Sequence, residues 1–166
     1  MVQASYVGSQ GRKLYRVRDI NQAVPGAGTP QSRRPFNARF PQYSFINYFE
    51  TSANSNYNAL QTYLRQRMSN GLSLYVSYTW SKSIDDASNG IYGGTRGVSF
   101  PQDSYNARAE RSVSSFDVRH RFTTNFVYDL KFLPHRLEGL PKRLTEGWQL
   151  AGILTSSSGI PITLHQ

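Results

Sequence analysis

Apolar and polar residues tend to alternate on either side of a short turn between Tyr57 and Ser83. A period of two places successive side chains on opposite faces of an extended chain, so the pattern predicts two antiparallel strands, near 57–68 and 72–83. The segment between them, Ser69-Asn70-Gly71, has the composition of a tight hairpin loop. This hairpin is the strongest structural signal in the sequence.

The side chains also predict the register of the hairpin. With a two-residue Asn70-Gly71 turn, Leu64 would lie opposite Ser77, and each face would mix apolar residues with serines. With a three-residue loop and a left-handed Gly71, Leu64 lies opposite Val76 and each face keeps one character. The predicted apolar face carries Leu60, Leu64, Leu72, Leu74, Val76 and Trp80. The predicted polar face carries Gln61, Tyr63, Arg65, Arg67, Ser73, Tyr75, Ser77 and Thr79.

Weaker alternation predicts four further strands, near residues 2–8, 43–51, 117–130 and 147–157. Residues 12–41 and 84–115 lack periodicity and are rich in turn-forming residues, which indicates long loops. A polar cluster at 52–56 predicts a break before the hairpin. The connections along the chain are therefore long, short, long and intermediate. We predict an all-β fold, an open antiparallel meander with its two long loops at one end.

Composition supports a β-protein, and it is compatible both with a sheet in water and with a sheet in a membrane. The chain is 38% hydrophobic and 13% aromatic, with 11 Tyr and 9 Phe, which is typical of sheet rather than helix. No apolar run approaches the roughly 20 residues of a transmembrane helix. The length of apolar runs does not exclude a transmembrane strand, because its residues alternate between apolar and polar. The alternation of long extracellular loops with short periplasmic turns is typical of an outer-membrane barrel. The pattern alone fits a soluble β-sandwich equally well.

Aromatic placement and charge add weaker signals. Tyr78 and Trp80 would lie near the long-loop end and Tyr128 and Trp148 near the short-turn end, as in the two aromatic girdles of a membrane barrel. The net charge of +9 fits a solvated basic surface, nucleic acid, anionic headgroups or an anionic ligand. The chain has no cysteine and no signal-peptide pattern. We expect it to be a fragment of a longer protein.

No pattern in the sequence predicts a catalytic or metal site. His120, His135 and His165 lie far apart, without a second ligand at metal-binding spacing. The Gly-x-Ser-x-Gly motif of serine hydrolases does not occur, and the glycine-rich residues 90–97 lack the lysine of a phosphate loop. We therefore expect no enzyme activity and no cofactor.

Three segments carry, in order, a resemblance to a known family: residues 54–86 (NSNYNALQTYLRQRMSNGLSLYVSYTWSKSIDD), 114–122 (SSFDVRHRF) and 147–161 (GWQLAGILTSSSGIP). The DINQA at 19–23 and the ASYVGSQGRKL before it fit the same family. Together they resemble the barrel of TonB-dependent outer-membrane receptors. The most similar group is the one common in Acidobacteria-type genomes, in which a carboxypeptidase-regulatory-like domain precedes the plug.

The resemblance implies a role in energised uptake across a Gram-negative outer membrane. Such receptors have a 22-stranded barrel, a plug inside it and a short TonB-contacting box. Residues 1–166 show neither plug nor box, so the resemblance implies a partial barrel. Its implied partners are outer-membrane lipid, the rest of the barrel, the plug, and TonB through a region absent here. The substrate stays unknown.

The polar face of the predicted hairpin supplies the candidate ligand-binding residues. In a barrel that face points into the lumen, where arginine can pair with plug carboxylates or with an anionic substrate. The candidates are Tyr63, Arg65, Arg67, Tyr75 and Arg121. Two alternatives stay open: a soluble basic all-β module that binds nucleic acid through this face, and a structural outer-membrane barrel without transport.

Overall fold

Six β-strands and one short 3-10 helix form the secondary structure of the described part of the chain. The computed structural model describes residues 1–69, 71–88, 100–130, 141 and 147–162, and the side chains of all of these except Met68 and Ser69. The strands are β1 (Val2–Asp19), β2 (Asn47–Ser69), β3 (Leu72–Asp85), β4 (Ser112–Val113), β5 (His120–Asp129) and β6 (Gln149–Ser157). The 3-10 helix spans Gln31–Arg33.

The strands form a single sheet in the order β1-β2-β3-β5-β6, and the two-residue β4 pairs with the far end of β3. Apart from the short β4, strands that follow each other along the chain are therefore neighbours in the sheet, which confirms the predicted antiparallel meander. The long, short, long and intermediate connections are also confirmed. Among the described residues, β1 and β6 each keep one unpaired edge, so the sheet is open.

The turn between β2 and β3 agrees with the predicted register. Gly71 has a φ of 84°, the left-handed conformation that the three-residue loop requires. The Asp86 N–H donates to the Asn54 carbonyl over 3.3 Å, and these two residues lie opposite each other in that register. Strand β2 continues through Ser69, one residue into the predicted loop, while Asn70 lies outside the described residues.

Strand pairing extends the predicted faces across the sheet. One row joins Leu72 to Tyr128 and Leu150, and the next joins Leu74 to Phe126 and Gly152. We call the face that carries these rows the apolar face. The opposite face, which we call the polar face, carries the rows Ser73–Val127–Ala151, Tyr75–Asn125–Ile153, Ser77–Thr123–Thr155 and Thr79–Arg121–Ser157.

The first strand is much longer than predicted. The prediction of a strand at 2–8 followed by a loop from 12 to 41 was wrong in its first part, because β1 runs to Asp19. Its neighbour β2 offers a continuous hydrogen-bonding edge, and backbone pairing holds β1 extended through the glycines and arginines that interrupt its alternation. The connection that follows β1 is residues 20–46.

The polar residues 52–56 do not break the sheet. The predicted strands at 43–51 and 57–68 are one strand, β2, and residues 43–46 belong to the connection before it. Ala53 within the polar cluster is 2% exposed, and the adjacent Asn54 bonds to Asp86 through its backbone and its side chain. These contacts supply the stabilisation that the residue types alone do not predict.

The remaining strand ends shift by a few residues for local reasons. Strand β3 reaches Asp85, beyond the predicted end at 83, because β4 pairs with it. Strand β5 begins at His120 rather than 117, because the backbone of Asp117 turns to donate to the Ser114 carbonyl over 2.9 Å. Strand β6 begins at Gln149 rather than 147, after Gly147 with its φ of 81°.

The contacts divide the chain into two units, which we call the sheet unit and the loop unit. The sheet unit comprises Met1–Val7, Asn58–Lys82 and Val118–Gly159. The loop unit comprises Gly8–Tyr57, Ser83–Asp117 and Ile160–Gln166. It contains the long connection 20–46 and the described parts of the connection between β3 and β5.

Burial is inverted relative to a water-soluble protein. The buried apolar side chains of the described residues are Val17, Ala53 and Ala59. Larger ones are exposed, including Trp80 at 51%, Leu150 at 53% and Leu154 at 58%. The other buried side chains are polar or charged: Arg16, Asp19, Asn21, Ser81, Ser83, Asp85, Ser104, Ser114 and Asp117. A sheet of this kind needs an apolar medium around it.

Candidate functional site

A groove of about 1070 Å³ crosses four strands of the sheet unit. Arg65 and Arg67 of β2 line it together with Tyr75 of β3, Asn125 of β5 and Ile153 of β6. The register explains the grouping, because Tyr75, Asn125 and Ile153 form one row of the polar face. The structure therefore brings three of the five predicted site residues together: Arg65, Arg67 and Tyr75.

The groove is positively charged. Among the described residues, neither Arg65 nor Arg67 has an acidic side chain within salt-bridge distance, and both are exposed. Tyr75 stacks on Tyr63, with ring centroids 6.2 Å apart and an angle of 28° between the rings. The Tyr63 hydroxyl donates to the Oε1 of Gln3, which holds the stacked pair beside the arginines. The groove can therefore accept a carboxylate or another anion.

Two further residues show where the sequence-based site was incomplete. Arg121 lies on the polar face opposite Thr79, four positions along β3 from Tyr75, and does not line the groove. Asn125 lines it and was not predicted as a site residue. Asn125 could have been predicted as a site residue from its position opposite Tyr75. That position depends on the register between β3 and β5.

The apolar face carries aromatic residues at two levels. Trp80 lies opposite His120, and the Tyr78 hydroxyl is 2.8 Å from the Nδ1 of that histidine. At the other level, Tyr128 lies opposite Leu72. Eight residues of β3 separate the two levels, which is roughly 26 Å along the strand, or about 20 Å across a membrane at a tilt of about 40°. This approaches the ~25 Å apolar band of a membrane barrel.

Between these levels, one aromatic side chain depends on a glycine in the next strand. Phe126 of β5 lies over Gly152 of β6, and a Cβ at Gly152 would come within 2.8 Å of the Phe126 ring. The glycine thus allows the ring to cover the backbone of the neighbouring strand. The contact keeps this part of the apolar face continuous.

In the loop unit, Asp19 and Asn21 organise the connection 20–46. The Oδ1 of Asp19 accepts the backbone N–H groups of Asn21 (2.8 Å) and Ile46 (3.0 Å), and its Oδ2 pairs with Arg34 (3.3 Å). Asn21 is fully buried, and its side chain bonds to backbone groups across the same connection. The DINQA segment therefore closes the base of a long loop.

A group of three charged residues, of which Arg16 is buried, follows this loop base in the loop unit. The Arg18 Nε is 3.1 Å from Glu50 Oε2, and the Arg16 Nε is 3.9 Å from Glu50 Oε1. Burial raises the pKa of Glu50, but hydrogen bonds from Ser52 and Arg18 and the charges of Arg18 and Arg16 outweigh it and lower the pKa. Arg16 has a side chain only 2% exposed, and its Nε and Nη1 have no hydrogen-bond partner among the described residues.

The second connection packs on the first within the loop unit. The Tyr105 hydroxyl donates to the carbonyls of Ile20 (3.2 Å) and Gln22 (3.0 Å), and Gln22 Nε2 donates to the Gln102 carbonyl over 2.7 Å. Burial and the charge of Asp19 raise the pKa of Tyr105, so its hydroxyl stays protonated and able to donate. The two connections form one hydrogen-bonded assembly.

Strand β3 and the SSFD segment are joined by a second buried polar cluster. The Ser83 N–H donates to Asp117 Oδ1 over 2.7 Å, and the hydroxyls of Ser83 and Ser114 lie 2.8 Å apart. Ser114 is fully buried and Asp117 is 5% exposed. The segment that resembled a family motif therefore has a structural role, because it brings the chain back to the sheet before β5.

The described residues contain no group of three or more His, Cys, Asp or Glu placed to hold a metal ion. His135, His165 and the glycine-rich residues 90–97 lie outside the described residues. Of the helices that the structure describes, none is long and apolar enough to cross a membrane.

An open antiparallel sheet that exposes an aromatic-bordered apolar face and turns arginines to the other side has the construction of a transmembrane barrel wall. A family model agrees: the outer membrane beta barrel domain matches residues 1–166, so the chain belongs to that family. No curated protein and no solved structure gives a significant match. The protein is thus a β-barrel protein of the outer membrane.

Proposed function

We propose that this chain is part of the wall of a TonB-dependent outer-membrane transporter, in which the groove contacts the plug. The observation that carries the proposal is the pair Arg65 and Arg67, which project into a large groove and have no acidic partner among the described residues. Unpaired arginines on a lumen face are suited to carboxylates of a domain held inside the barrel. The chain's role would be transport without chemistry of its own.

The groove is compatible with a lumen that holds a second domain. Barrels of about eight strands fill their interior with their own side chains. The groove crosses four strands, and Ile153 on the edge strand β6 is 80% exposed on the same face. An apolar side chain on that face is better accommodated by a second protein surface than by water. The resemblance of the strand motifs to TonB-dependent receptors points in the same direction.

Conductance of the full-length protein in planar bilayers tests the proposal. A plugged transporter is expected to be closed and to open when urea unfolds the plug. The double variant Arg65→Glu/Arg67→Glu reverses the groove charge and should give open pores without urea, because it repels plug carboxylates. Arg121→Glu makes the same type of change on the same face outside the groove and should leave the pore closed.

Three results would overturn the proposal. One is a wild-type protein that conducts as an open pore without urea, which would support a plain barrel. Another is a charge-reversed groove that stays as closed as the Arg121→Glu control. The third is failure of the full-length protein to bind the purified periplasmic domain of TonB, which would leave the barrel without an energy source.

A further inference from the structure

The connection 20–46 carries an unusual combination of side chains. It contains three arginines, Arg33, Arg34 and Arg39, and no acidic residue. It also contains four exposed aromatic residues: Phe36 (37%), Phe40 (37%), Tyr43 (52%) and Phe45 (67%). In an outer-membrane barrel the long connections lie outside the cell, so this surface meets the extracellular medium rather than lipid.

Hydrogen bonds from the side chains of Asn21 and Gln31 hold the backbone that carries these aromatic rings. Asn21 donates from Nδ2 to the Tyr43 carbonyl over 3.2 Å and accepts the Phe36 N–H at Oδ1 over 3.0 Å. Gln31 donates from Nε2 to the Pro41 carbonyl over 2.9 Å and to the Tyr43 carbonyl over 3.2 Å. Exposed rings held on such a backbone lose little conformational entropy when they bind a ligand.

The rings and one arginine form a small exposed cluster. The Phe40 and Tyr43 centroids lie 6.1 Å apart, and the rings are tilted by 58°. The Arg39 guanidinium lies 5.4 Å from the Phe40 centroid. Among the described residues Arg39 has no acidic partner, whereas Arg34 is neutralised by Asp19. We call Arg39, Phe40 and Tyr43 the loop cluster.

We propose that the loop cluster binds an acidic polysaccharide at the cell surface. Two tilted rings form a notch rather than a flat platform, which suits the C–H faces of pyranose rings better than a planar aromatic ligand. The guanidinium of Arg39 beside the notch can pair with a uronic-acid carboxylate. The proposal does not depend on coupling to TonB, because it uses only the extracellular position of the connection.

Binding of polygalacturonate to the full-length protein in detergent tests the proposal, with dextran as the neutral polymer. The wild type is expected to bind polygalacturonate and not dextran. The double variant Phe40→Ala/Tyr43→Ala should weaken binding about tenfold or more, since buried aromatic contacts dominate binding energies. Arg39→Gln should weaken it roughly threefold to tenfold and reduce its dependence on salt.

Matched variants keep the result interpretable. Arg108→Gln removes the same charge from an exposed arginine of the other connection and should change binding less than about twofold. Arg39→Lys keeps the charge and should restore part of the affinity lost in Arg39→Gln. Tyrosine at position 40 (Phe40→Tyr) keeps the ring and should bind almost as the wild type does.

Several results would overturn the proposal. They are no polygalacturonate binding by the wild type, equal binding of dextran, and equal losses from Arg108→Gln and Arg39→Gln. A further contradicting result concerns lipopolysaccharide vesicles. It is that substitutions in the loop cluster weaken binding to these vesicles and leave binding to polygalacturonate unchanged. That result would assign the cluster to lipid headgroups instead.

Discussion

In the sheet unit the buried side chains of the described residues are Ala59 and Ser81, whereas the loop unit buries a group that includes Arg16, Asp19 and Asn21. The sheet unit leaves its large apolar residues exposed, and in an outer-membrane barrel lipid covers such residues. The loop unit consists of the long connections and the strand segments next to them. It is stabilised by internal hydrogen bonds and ion pairs rather than by an apolar core.

This difference shows how one chain adapts to two solvents. In lipid, a sheet depends more on backbone pairing than on side-chain burial within the protein. Where water surrounds the chain, small apolar contacts are too few, so carboxylates and amides organise the backbone. We therefore expect mutations in the sheet unit to act through the environment of its exposed apolar face, and mutations in the loop unit to act through hydrogen bonds and ion pairs.

The largest effect is expected from Asp19→Ala in the loop unit. The change removes the buried acceptor of two backbone N–H groups and leaves the partly buried Arg34 without its carboxylate partner, which costs about 3 kcal/mol. Trypsin should then cleave the connection 20–46 rapidly in the full-length protein. Asp103→Ala, at an exposed carboxylate in the other connection, should leave cleavage slow. If the two variants are cleaved equally, buried polar contacts do not stabilise this unit.

A slightly smaller effect is expected from Leu74→Arg in the sheet unit. Leu74 lies opposite Phe126 on the apolar face, and an arginine near the centre of the bilayer costs roughly 2–4 kcal/mol. Folding into lipid vesicles, followed by heat-modifiable gel migration, measures the loss. Ser77→Arg places the same residue on the polar face and should fold nearly normally. The opposite ranking would reverse the assignment of the two faces.

Gly152→Val tests packing within the apolar face. The added side chain would meet the Phe126 ring, whose nearest atom lies 2.8 Å from a Cβ at this position, and overpacking costs about 1–3 kcal/mol. The double variant Gly152→Val/Phe126→Ala should recover stability, because the ring is then absent. Urea unfolding from vesicles measures both. No recovery would mean that the contact between the ring and the glycine does not limit stability.

The smallest expected effect is a dependence of the stability of the loop unit on pH. Because the folded-state pKa of Glu50 is lowered, its ion pairs stabilise the unit at pH above the unfolded pKa. This contribution should disappear as the pH falls through the folded pKa. Hydrogen exchange of the amides around Glu50 should report the loss, and Glu50→Gln should abolish it. A dependence of equal size in the variant would assign the effect to other carboxylates.

The sequence predicts the hairpin best because two different media act on its two faces. Between Leu60 and Val76 most apolar residues fall on one face and the arginines on the other, and the register follows from this contrast. In residues 8–19 and 52–56 no such contrast exists, so the alternation fades and the strands continue only through pairing. The conformation of the long connections could not be predicted from the sequence either. Asp19 and Asn21 nevertheless have the spacing of an Asx-turn, which marks a strand end.

The groove was predictable only in part. Arg65, Arg67 and Tyr75 follow from the hairpin register, which is local. Asn125 and Ile153 join them through the pairing of β3 with β5 and of β5 with β6, across long connections whose lengths do not fix a register.

The short turn at Gly71 also bears on the order in which the sheet forms. Pairing β1 with β2 requires closing residues 20–46, which costs roughly 2 kcal/mol more loop entropy than closing the β2–β3 turn. The hairpin should therefore form first and act as a nucleus to which β1 and β5 add from either side. Gly71→Val should slow refolding of the full-length protein more than Gly147→Val, which strains a backbone of similar φ next to β6. The sheet would then grow from its centre toward its edges.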